Sequence, residues 1–504
     1  MSSGFVSLVG AGPGDPGLLT VRGQRALQRA DVVLYDYLAS PALLESIQVA
    51  GQERIHVGKS AGAKCTAQAD INHLIVQRGT AGQHVVRLKG GDPFIFGRGS
   101  EEAQACLEAG IPFEVVPGVS SIAAVPAYAG IPLTDRELSS GFTVLTGHER
   151  WSSEKRIDWT KVAGEGGTVV VLMGVLQIAH WTQGLMEGGR SPATPVSLIR
   201  WGTTPRQQIL SGTLGTIVGC VERESFRPPA VAVVGRTVQR QESLNWLQYR
   251  PLWRTVIGIT GPKPPTDATF RPLEDGGANL LHLPLTRQVE MSAPGLEIAL
   301  ADASNSELVF TSANGVAFFK KALLTAGLDS RALAEKRIWV VGPATRHACD
   351  RHLGIRADFM PAHASANGLV DLARQVGVQG LGFVFPAARA ARSVLEQGIK
   401  SLGGSVQRLN LYETLPIENA STRLQDAMDV GLNLVTIASP SAVDALCMAM
   451  EKASIPKENL SIAAIGPTTA NHAKKAGFNV VCTPHEHTMA GLVKELAEFL
   501  NATR

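Results

Sequence analysis

The chain has 504 residues, 44% of them hydrophobic, which is enough for about three to four domains with substantial cores. Its 47 Lys and Arg residues against 44 Asp and Glu give a formal net charge of only +3, which argues against nucleic-acid binding. The 6 cysteines are too scattered for a zinc site or a disulfide framework, and no apolar run approaches the roughly 18 residues of a membrane span, so we expect a cytoplasmic protein without a metal or a membrane partner.

The first 134 residues alternate short apolar segments with segments of helical periodicity. Strands are predicted at 5–9, 31–35, 54–57, 84–88 and 113–116, and helices at 17–29, 40–48, 68–79 and 99–109. This alternation is typical of an α/β fold with a parallel sheet, in which ligands bind beyond the carboxyl ends of the strands. Asp36 and Lys59 follow the second and third predicted strands and so lie on the ligand side. Taken alone, each is more often a helix-cap acid or a solvated surface lysine.

Two loops in this region are rich in glycine. The first, at 10–16, reads Gly-Ala-Gly-Pro-Gly-Asp-Pro and is no dinucleotide fingerprint, because its glycine spacing is G-x-G-x-G and its prolines stand where a helix should open. Asp15 would repel a pyrophosphate, so we expect a ligand that is uncharged or cationic at this end, such as the sulfonium of S-adenosylmethionine. The second loop, Gly-Gly-Asp-Pro at 90–93, would let a ligand approach the backbone closely, although an ordinary turn explains this stretch equally well.

Residues 138–238 form a second α/β pattern, in which we expect some antiparallel pairing. Strands are predicted at 142–146, 168–172, 196–200, 208–211 and 230–234, and helices near 153–163, 174–188 and 213–223. The segment Asn245–Arg254 contains a proline and large aromatic residues. This composition favours a packed junction over a flexible one, and we interpret the segment as the boundary to a separate module.

A third pattern begins at Thr255 and contains an internal repeat. The strand and turn at 308–316 are echoed at 434–443, and the turn at 341–345 is echoed at 465–469. Each unit ends a strand with Ser, Thr, Gly or Pro and then opens a helix, which aims backbone N–H groups at a potential anion site. A single turn of this kind is more often a simple helix cap. Four of them in a duplicated arrangement predict two similar lobes that face a cleft for carboxylates.

Residues 1–245 resemble the tetrapyrrole methylases, and among them uroporphyrinogen-III C-methyltransferase. The resemblance rests on the two glycine-rich loops and on the stretches Asp31–Asp36, Val57–Lys59, Val116–Ser121, Gly130–Thr134, Leu172–Gly174 and Arg200–Thr203. It implies a two-lobed fold with lobes at 1–135 and 136–245, bound S-adenosylmethionine, Asp36 as proton acceptor and Lys59 as proton donor. The cofactor contacts that it implies are Pro13, Gly90, Gly91, Asp92, Ile95, Ser120, Ser121, Met173, Gly202 and Ala230.

Residues 255–504, beyond a linker at 246–254, resemble uroporphyrinogen-III synthase. The resemblance rests on Phe310–Val316, Leu411–Thr414, Ala438–Val443 and the two Gly-Pro-x-Thr turns. It implies a two-lobed α/β fold with one lobe at 255–287 plus 416–504 and the other at 288–415. The chain departs from the family at Gly261 and Ala387, where an arginine is common. The predicted substrate contacts are Ser312, Asn314, Thr345, Arg389, Arg392, Ser439, Ser441, Thr468 and Thr469.

Together the two resemblances imply a bifunctional enzyme of tetrapyrrole biosynthesis. The second half would cyclise hydroxymethylbilane to uroporphyrinogen III, and the first would methylate that product twice to precorrin-2, in the sirohaem and cobalamin branch. Tyr412 is the candidate phenol that assists loss of the substrate hydroxyl as water, although a core tyrosine is an equally good interpretation. The resemblance also implies a homodimer formed through the first half. Since each motif lies wholly in one half, we expect the halves to act independently.

Two alternatives remain open on the sequence. A methylase of a later corrin intermediate is disfavoured by the attached synthase, which favours the earlier substrate. A non-catalytic tetrapyrrole-binding protein is disfavoured by the intact Gly-Gly-Asp-Pro loop and by the presence of both Asp36 and Lys59.

Overall fold

Four five-stranded sheets carry the fold within the residues that the computed structural model describes, which are 4–36, 43, 44, 47, 49, 51–58, 67–147, 157–164, 166–265 and 267–502. Helices follow most of the strands, so the α/β class predicted from the sequence is confirmed. No helix among these residues is both long and apolar enough to span a membrane.

The first sheet is entirely parallel, as predicted, with the strand order β3-β2-β4-β1-β5. Its strands are β1 Phe5–Gly10, β2 Val32–Tyr35, β3 Glu53–His56, β4 His84–Lys89 and β5 Phe113–Val116. Its helices are Val21–Arg29, Gln68–Thr80, Gly99–Glu108 and Ser121–Tyr128. The central strands β1 and β4 are buried except at their first residues, which explains why both are almost continuous apolar runs.

The first helix starts later than the periodicity predicted. Asp15 caps a short 3-10 turn at Pro16–Leu18, and its Oδ1 accepts a hydrogen bond from the Gly17 N–H at 2.7 Å. Thr20 then caps the α-helix by accepting a hydrogen bond from the Gly23 N–H at 3.1 Å. Two successive caps therefore divide one predicted helix into a turn and a helix.

The second sheet is mixed, with the order β6-β7-β10-β8-β9. Its strands are β6 Phe142–Thr146, β7 Thr168–Leu172, β8 Pro195–Arg200, β9 Gln208–Thr213 and β10 Ala230–Val234, and its helices are Trp159–Gly164, Ile178–Glu187 and Ile217–Arg223. Only β6 and β7 pair in parallel, so the expected antiparallel pairing is confirmed. The last helix starts at Ile217 rather than 213, because β9 continues to Thr213 in register with Pro195.

Two further sheets follow the junction. Their strands are β11 Val256–Ile259, β12 Asn279–His282, β13 Thr286–Glu290, β14 Glu307–Phe310, β15 Arg337–Val340, β16 Gly382–Ala388, β17 Ser405–Pro416, β18 Leu434–Ile437, β19 Ser461–Ala464 and β20 Asn479–Cys482. Their helices are Arg271–Asp275, Leu296–Ala301, Ala313–Thr325, Pro343–Leu353, Ala366–Val376, Val394–Ser401, Ala420–Asp429, Pro440–Lys452, Pro467–Lys475 and Met489–Ala502.

The third sheet is built from both ends of this region. Its order is β12-β11-β18-β19-β20, and all its pairings are parallel. The fourth sheet, β13-β17-β16-β14-β15, is parallel except where β13 pairs antiparallel with β17. The fourth sheet lies in a compact unit of its own at Leu285–Glu418, whereas the other three sheets belong to the larger unit. The smaller unit is slightly wider than the predicted lobe at 288–415, because Thr286 in β13 pairs with Pro416 at the end of β17.

Three glycines allow the loops after β1, β4 and β5 to touch through their backbones. A Cβ added to Gly10 would lie 2.5 Å from the Gly118 Cα and 2.6 Å from the Gly91 carbonyl oxygen. A Cβ added to Gly118 would lie only 2.2 Å from that same oxygen. These distances are below any real Cβ contact, so a side chain at Gly10 or Gly118 would push the loops apart.

We expect Gly118→Ala to lower the free energy of unfolding by about 1–3 kcal/mol, the usual cost of overpacking a rigid site. Urea unfolding measures this change. Gly219→Ala is the matched control, because Gly219 lies in helix Ile217–Arg223 with nothing within 4 Å of an added Cβ. The control should be neutral or stabilising by about 0.5–1 kcal/mol. An equal effect of the two substitutions would contradict the close approach of the loops.

Candidate active site

The two glycine-rich loops pair with one another at the carboxyl edge of the first sheet. The Gly91 N–H donates to the Gly12 carbonyl at 2.7 Å, and the Gly12 N–H donates to the Gly91 carbonyl at 3.2 Å. Gly91 has a φ of +68°, and a Cβ placed there would meet only the Ser121 nitrogen, at 3.7 Å. The space above Gly91 is therefore a cradle that a larger side chain would fill.

The first-lobe candidates for cofactor contact lie on these adjoining loops. They are Pro13 on the loop after β1, Gly90, Gly91, Asp92 and Ile95 on the loop after β4, and Ser120 and Ser121, which are the N-cap and the first residue of the helix that follows β5. The Asp92 carboxylate accepts hydrogen bonds from the Phe94 N–H at 2.9 Å and the Gly118 N–H at 3.1 Å, and its contact with the cofactor stays a prediction. In this structure Asp92 therefore ties the second and third loops together.

A loop of the second sheet lies against the first glycine-rich loop. The Asp15 N–H donates to Thr203 Oγ1 at 3.2 Å, and a Cβ on Gly14 would lie 2.6 Å from Thr204 Cγ2. Gly202 precedes these threonines and follows β8. This contact places Gly202 beside the loop that carries Pro13.

The other two second-lobe candidates lie at the same end of the second sheet. Ala230 pairs with Arg200 at the end of β8, and Met173 follows Leu172, which pairs with Val231. Met173 is half exposed, so its side chain is available to a ligand. The predicted contacts of the second lobe therefore share one edge.

Unusual backbone conformations mark these loops. Phe96, Arg98, Met173, Trp201 and Thr203 are non-glycine residues with φ between +49° and +65°. Such conformations are uncommon outside glycine, and they concentrate where a functional site determines the local backbone. Their positions after β4, β7 and β8 agree with a site at this edge.

Asp36 is held by a buried arginine. The Arg87 Nη2 donates to Asp36 Oδ1 at 2.6 Å, and Arg87 Nη1 donates to the carbonyls of Leu34 and Leu88 at 3.3 and 3.1 Å. Arg87 is only 2% exposed, whereas Asp36 is partly open to solvent. A charge-assisted hydrogen bond with this geometry fixes the orientation of the Asp36 carboxylate at the strand end.

Glu102 completes a buried cluster of charges beneath the second loop. Its Oε1 accepts hydrogen bonds from Arg87 Nε at 3.0 Å, Lys89 Nζ at 2.9 Å and Gln68 Nε2 at 3.1 Å. No described residue donates a hydrogen bond to its other oxygen. Burial lowers the pKa of Lys89, the nearby Arg87 charge lowers it further, and Glu102 opposes both effects. Sequence reasoning missed this cluster.

Lys59, the predicted proton donor, lies outside the described residues. Within the described part of the chain, no group of three His, Cys, Asp or Glu side chains could hold a metal ion.

Tyr412 lies inside the smaller unit beside one of the repeated turns. Its hydroxyl is 3.2 Å from Ser312 Oγ, and its ring stacks on Phe318 with the centroids 4.6 Å apart. Ser312 also caps helix Ala313–Thr325, accepting from the Gly315 N–H at 2.9 Å. The structure thus brings together two of the predicted residues, although Tyr412 is largely buried.

The remaining predicted contacts of the smaller unit differ in exposure. Asn314, Arg389 and Arg392 are exposed, and Arg389 Nη1 lies 3.5 Å from Glu413 Oε2. Thr345 is buried at 3% exposure, because it lies on the packed side of helix Pro343–Leu353. The expectation that its side chain reaches a substrate is therefore not supported by its placement.

The second copy of the repeat, in the larger unit, follows the same pattern. Ser439 caps helix Pro440–Lys452, and its Oγ lies 3.0 Å from that of Ser441. Thr468 is exposed, whereas Thr469 is buried like its counterpart Thr345, so its placement does not support the predicted contact with substrate. The hydroxyls that stay accessible are therefore those of Ser439, Ser441 and Thr468.

Comparisons with known proteins agree with a division into two parts. Residues 6–218 match the family model of tetrapyrrole (corrin/porphyrin) methylases, and residues 267–494 match that of uroporphyrinogen-III synthase HemD. The porphyrin biosynthesis protein HemD of Ruminiclostridium josui is 34% identical over 504 residues, which cover 99% of this chain and 98% of the relative.

Two further similar proteins cover the first half. The S-adenosyl-L-methionine-dependent uroporphyrinogen III methyltransferase of Methanosarcina barkeri is 47% identical over 243 residues, which cover 48% of this chain and 95% of the relative. A crystal structure of uroporphyrin-III C-methyltransferase from Thermus thermophilus, complexed with S-adenosylhomocysteine, is 39% identical, with a TM-score of 0.40 over 46% of this chain and 98% of that one.

The buried Lys89 gives a test by pH. Since its pKa is lowered from 10.5 in the folded protein, the unfolded chain binds more protons in the interval below 10.5, and stability should rise with pH there. We expect the free energy of unfolding of the wild type, relative to Lys89→Met, to increase as the pH rises toward 10.5. Urea unfolding of both proteins measures this. A difference between the wild type and Lys89→Met that does not change with pH would contradict the assignment.

Proposed function

The chain belongs to the family of porphyrin-biosynthesis proteins in which a tetrapyrrole methylase is fused to a uroporphyrinogen-III synthase, and we propose that its two halves catalyse consecutive reactions on one substrate. The second half cyclises hydroxymethylbilane to uroporphyrinogen III. The first half methylates uroporphyrinogen III with S-adenosylmethionine. The fusion of the two domains is the observation that supports these substrates, because the product of one family is the substrate of the other.

The first half has the features that S-adenosylmethionine requires. Its loops offer the open cradle at Gly91, and Asp15 places an acid at the edge of the first loop. Pro13, Gly90, Gly91, Ile95, Ser120 and Ser121 would hold the molecule from the first lobe, and Met173, Gly202 and Ala230 from the second. When bound, S-adenosylmethionine supplies an electrophilic methyl group, so the protein has chiefly to align the reactants, with reacting atoms about 3–3.5 Å apart.

Methylation of a pyrrole carbon also requires a proton to be moved. Asp36 is the proposed acceptor, because Arg87 orients its partly exposed carboxylate at the ligand end of the sheet. Lys59 is the proposed donor, on the sequence resemblance alone. Asp92 has a supporting role, because its hydrogen bonds to Phe94 and Gly118 hold two loops in place.

The synthase reaction requires loss of the substrate hydroxyl as water and closure of the ring. Tyr412 is the proposed phenol that assists this departure by donating a proton to the leaving hydroxyl. The adjacent Ser312 hydroxyl, 3.2 Å away, can orient the phenol. Ser439, Ser441, Thr468, Asn314, Arg389 and Arg392 are the proposed contacts for substrate carboxylates.

Two methylations would give precorrin-2, which serves the sirohaem and cobalamin branch. We propose that the protein is a cytoplasmic homodimer formed through the methylase half.

A single incubation with hydroxymethylbilane and S-adenosylmethionine tests the function. Mass spectrometry should detect dimethylated cyclic product. Product that is cyclic but unmethylated would favour a methylase of a later corrin intermediate, and no turnover would favour a tetrapyrrole-binding protein.

We expect Asp36→Asn to slow methylation of supplied uroporphyrinogen III by about 10²–10⁴, the usual contribution of a general base. Affinity for S-adenosylmethionine, measured by calorimetry, should not change, because Asp36 acts on the other reactant. Asp371→Asn is the control, because this acid is exposed and forms only a local ion pair with Arg374. A methylation rate close to that of the wild type would show that Asp36 is not the proton acceptor.

We expect Tyr412→Phe to slow cyclisation of hydroxymethylbilane by about 10²–10⁴ and to leave methylation unchanged. The substitution keeps the ring that stacks on Phe318, so the fold of the smaller unit should persist. The methylation rate of the same protein is the internal control. A normal cyclisation rate would show that Tyr412 is only a core residue.

A further inference from the structure

The junction between the halves is packed on both sides. Trp246 donates from Nε1 to the Ala127 carbonyl at 2.9 Å, and its ring meets the edge of Tyr128 at 5.0 Å between centroids. Leu252 is fully buried in the core of the third sheet, and its N–H donates to the Gly276 carbonyl at 2.8 Å. Trp253 follows at once, and its ring centroid lies 5.8 Å from that of Tyr128. The third sheet is thereby connected to the end of helix Ser121–Tyr128.

Tyr128 continues this connection into the methylase loops. Its hydroxyl donates to Asp15 Oδ2 at 2.7 Å, while Asp15 Oδ1 accepts from the Gly17 N–H and the Asp15 N–H donates to Thr203. Burial and the Asp15 carboxylate raise the pKa of Tyr128, so the phenol keeps its proton and remains a donor. Asp15 is thus fixed by partners on both its backbone and its side chain.

A second connection reaches the same region from the helix that precedes β18 of the third sheet. Arg206 Nη1 donates to the Asp429 carbonyl at 2.6 Å, at the end of helix Ala420–Asp429. The Arg206 guanidinium also lies over the Trp201 ring, 4.5 Å from its centroid. Trp201 and Thr203 flank Gly202, and both have positive φ. The contact therefore supports a loop whose backbone is in a costly conformation.

We propose that Tyr128 and Arg206 are positioning residues of the methyltransferase site, and that the linker residue Trp253 and a helix of the synthase half hold them in place. Trp253 supports Tyr128, and the end of helix Ala420–Asp429 supports Arg206. Methylation would then depend on the synthase half, contrary to the independence expected from the sequence. This inference rests on the proposed function, and all its contacts lie within the larger compact unit.

The test compares full-length variants. We expect Tyr128→Phe to weaken S-adenosylmethionine binding by about 5- to 30-fold, since it removes a hydrogen bond to a charged group but keeps the ring. Trp253→Leu should weaken it by about 2- to 10-fold, although Trp253 lies outside the methylase half, and Trp253→Phe should restore most of the loss. Calorimetry gives the affinities. Tyr249→Phe is the matched control, because Tyr249 lies in the same junction and is 79% exposed.

A double-mutant cycle separates positioning from general loosening of the fold. If Trp253 acts through the Tyr128 hydroxyl, the double variant Tyr128→Phe, Trp253→Leu should bind S-adenosylmethionine no more weakly than Tyr128→Phe alone. Cyclisation of hydroxymethylbilane should be unchanged throughout. For the second connection, Arg206→Ala should weaken binding by about 2- to 10-fold, whereas Arg223→Ala, at an exposed arginine, should not.

Affinities equal to the controls for Tyr128→Phe and Trp253→Leu would overturn the proposal, and so would strictly additive losses in the double variant. Failure of the proposed function looks different. A wild-type chain that binds S-adenosylmethionine but transfers no methyl group to uroporphyrinogen III would refute the methylation and leave these affinity differences intact.

Discussion

The arrangement of the loops in the methylase half depends on direct contact between their backbones, with no side chains between them. The loops after β1, β4 and β5 meet at Gly10, Gly91 and Gly118. A Cβ added to Gly10 or Gly118 would overlap the backbone of a neighbouring loop. Because the loops are so close, one carboxylate, Asp92, can bridge two of them. Space remains above Gly91, which has a φ of +68° and where an added Cβ would overlap no neighbouring atom. The glycines therefore set both the proximity of the loops and the open space between them.

The charges beneath these loops depend on the same strand. β4 ends in the second glycine loop and also carries Arg87 and Lys89, whose side chains are buried against Glu102. Two cations so near one another are tolerable only with a counter-charge in the interior, because an unpaired buried charge is costly. Arg87 also donates a hydrogen bond to Asp36, so the charge cluster in the interior also orients the proposed base. Structure and chemistry therefore share one set of side chains.

The sequence could predict the sheets and the glycine loops, because buried parallel strands are apolar runs and glycines mark close backbone approach. It could not reveal the partners of Arg87, because a charge inside an apolar run does not indicate which distant residue neutralises it. Tyr128 was missed because its partner Asp15 is remote in sequence. The burial of Thr345 and Thr469 could not be predicted, because the repeat marks where a helix starts and not which of its first residues faces the core. The family resemblance supplied the role of Asp36, which periodicity alone would not.

The path of the chain through the third sheet has a consequence for biosynthesis on the ribosome. Strand β11 pairs with β18, as in Gly258 with Val435, so this sheet stays incomplete until the whole smaller unit has been made. At about 5–20 residues per second, the 177 residues that separate this pair (435 − 258) take about 9–35 s to synthesise. During that interval Leu252 and the apolar faces of β11 and β12 have no completed core to enter. The methylase sheets emerge first, and the third sheet is completed only after the inserted unit Leu285–Glu418 has been synthesised.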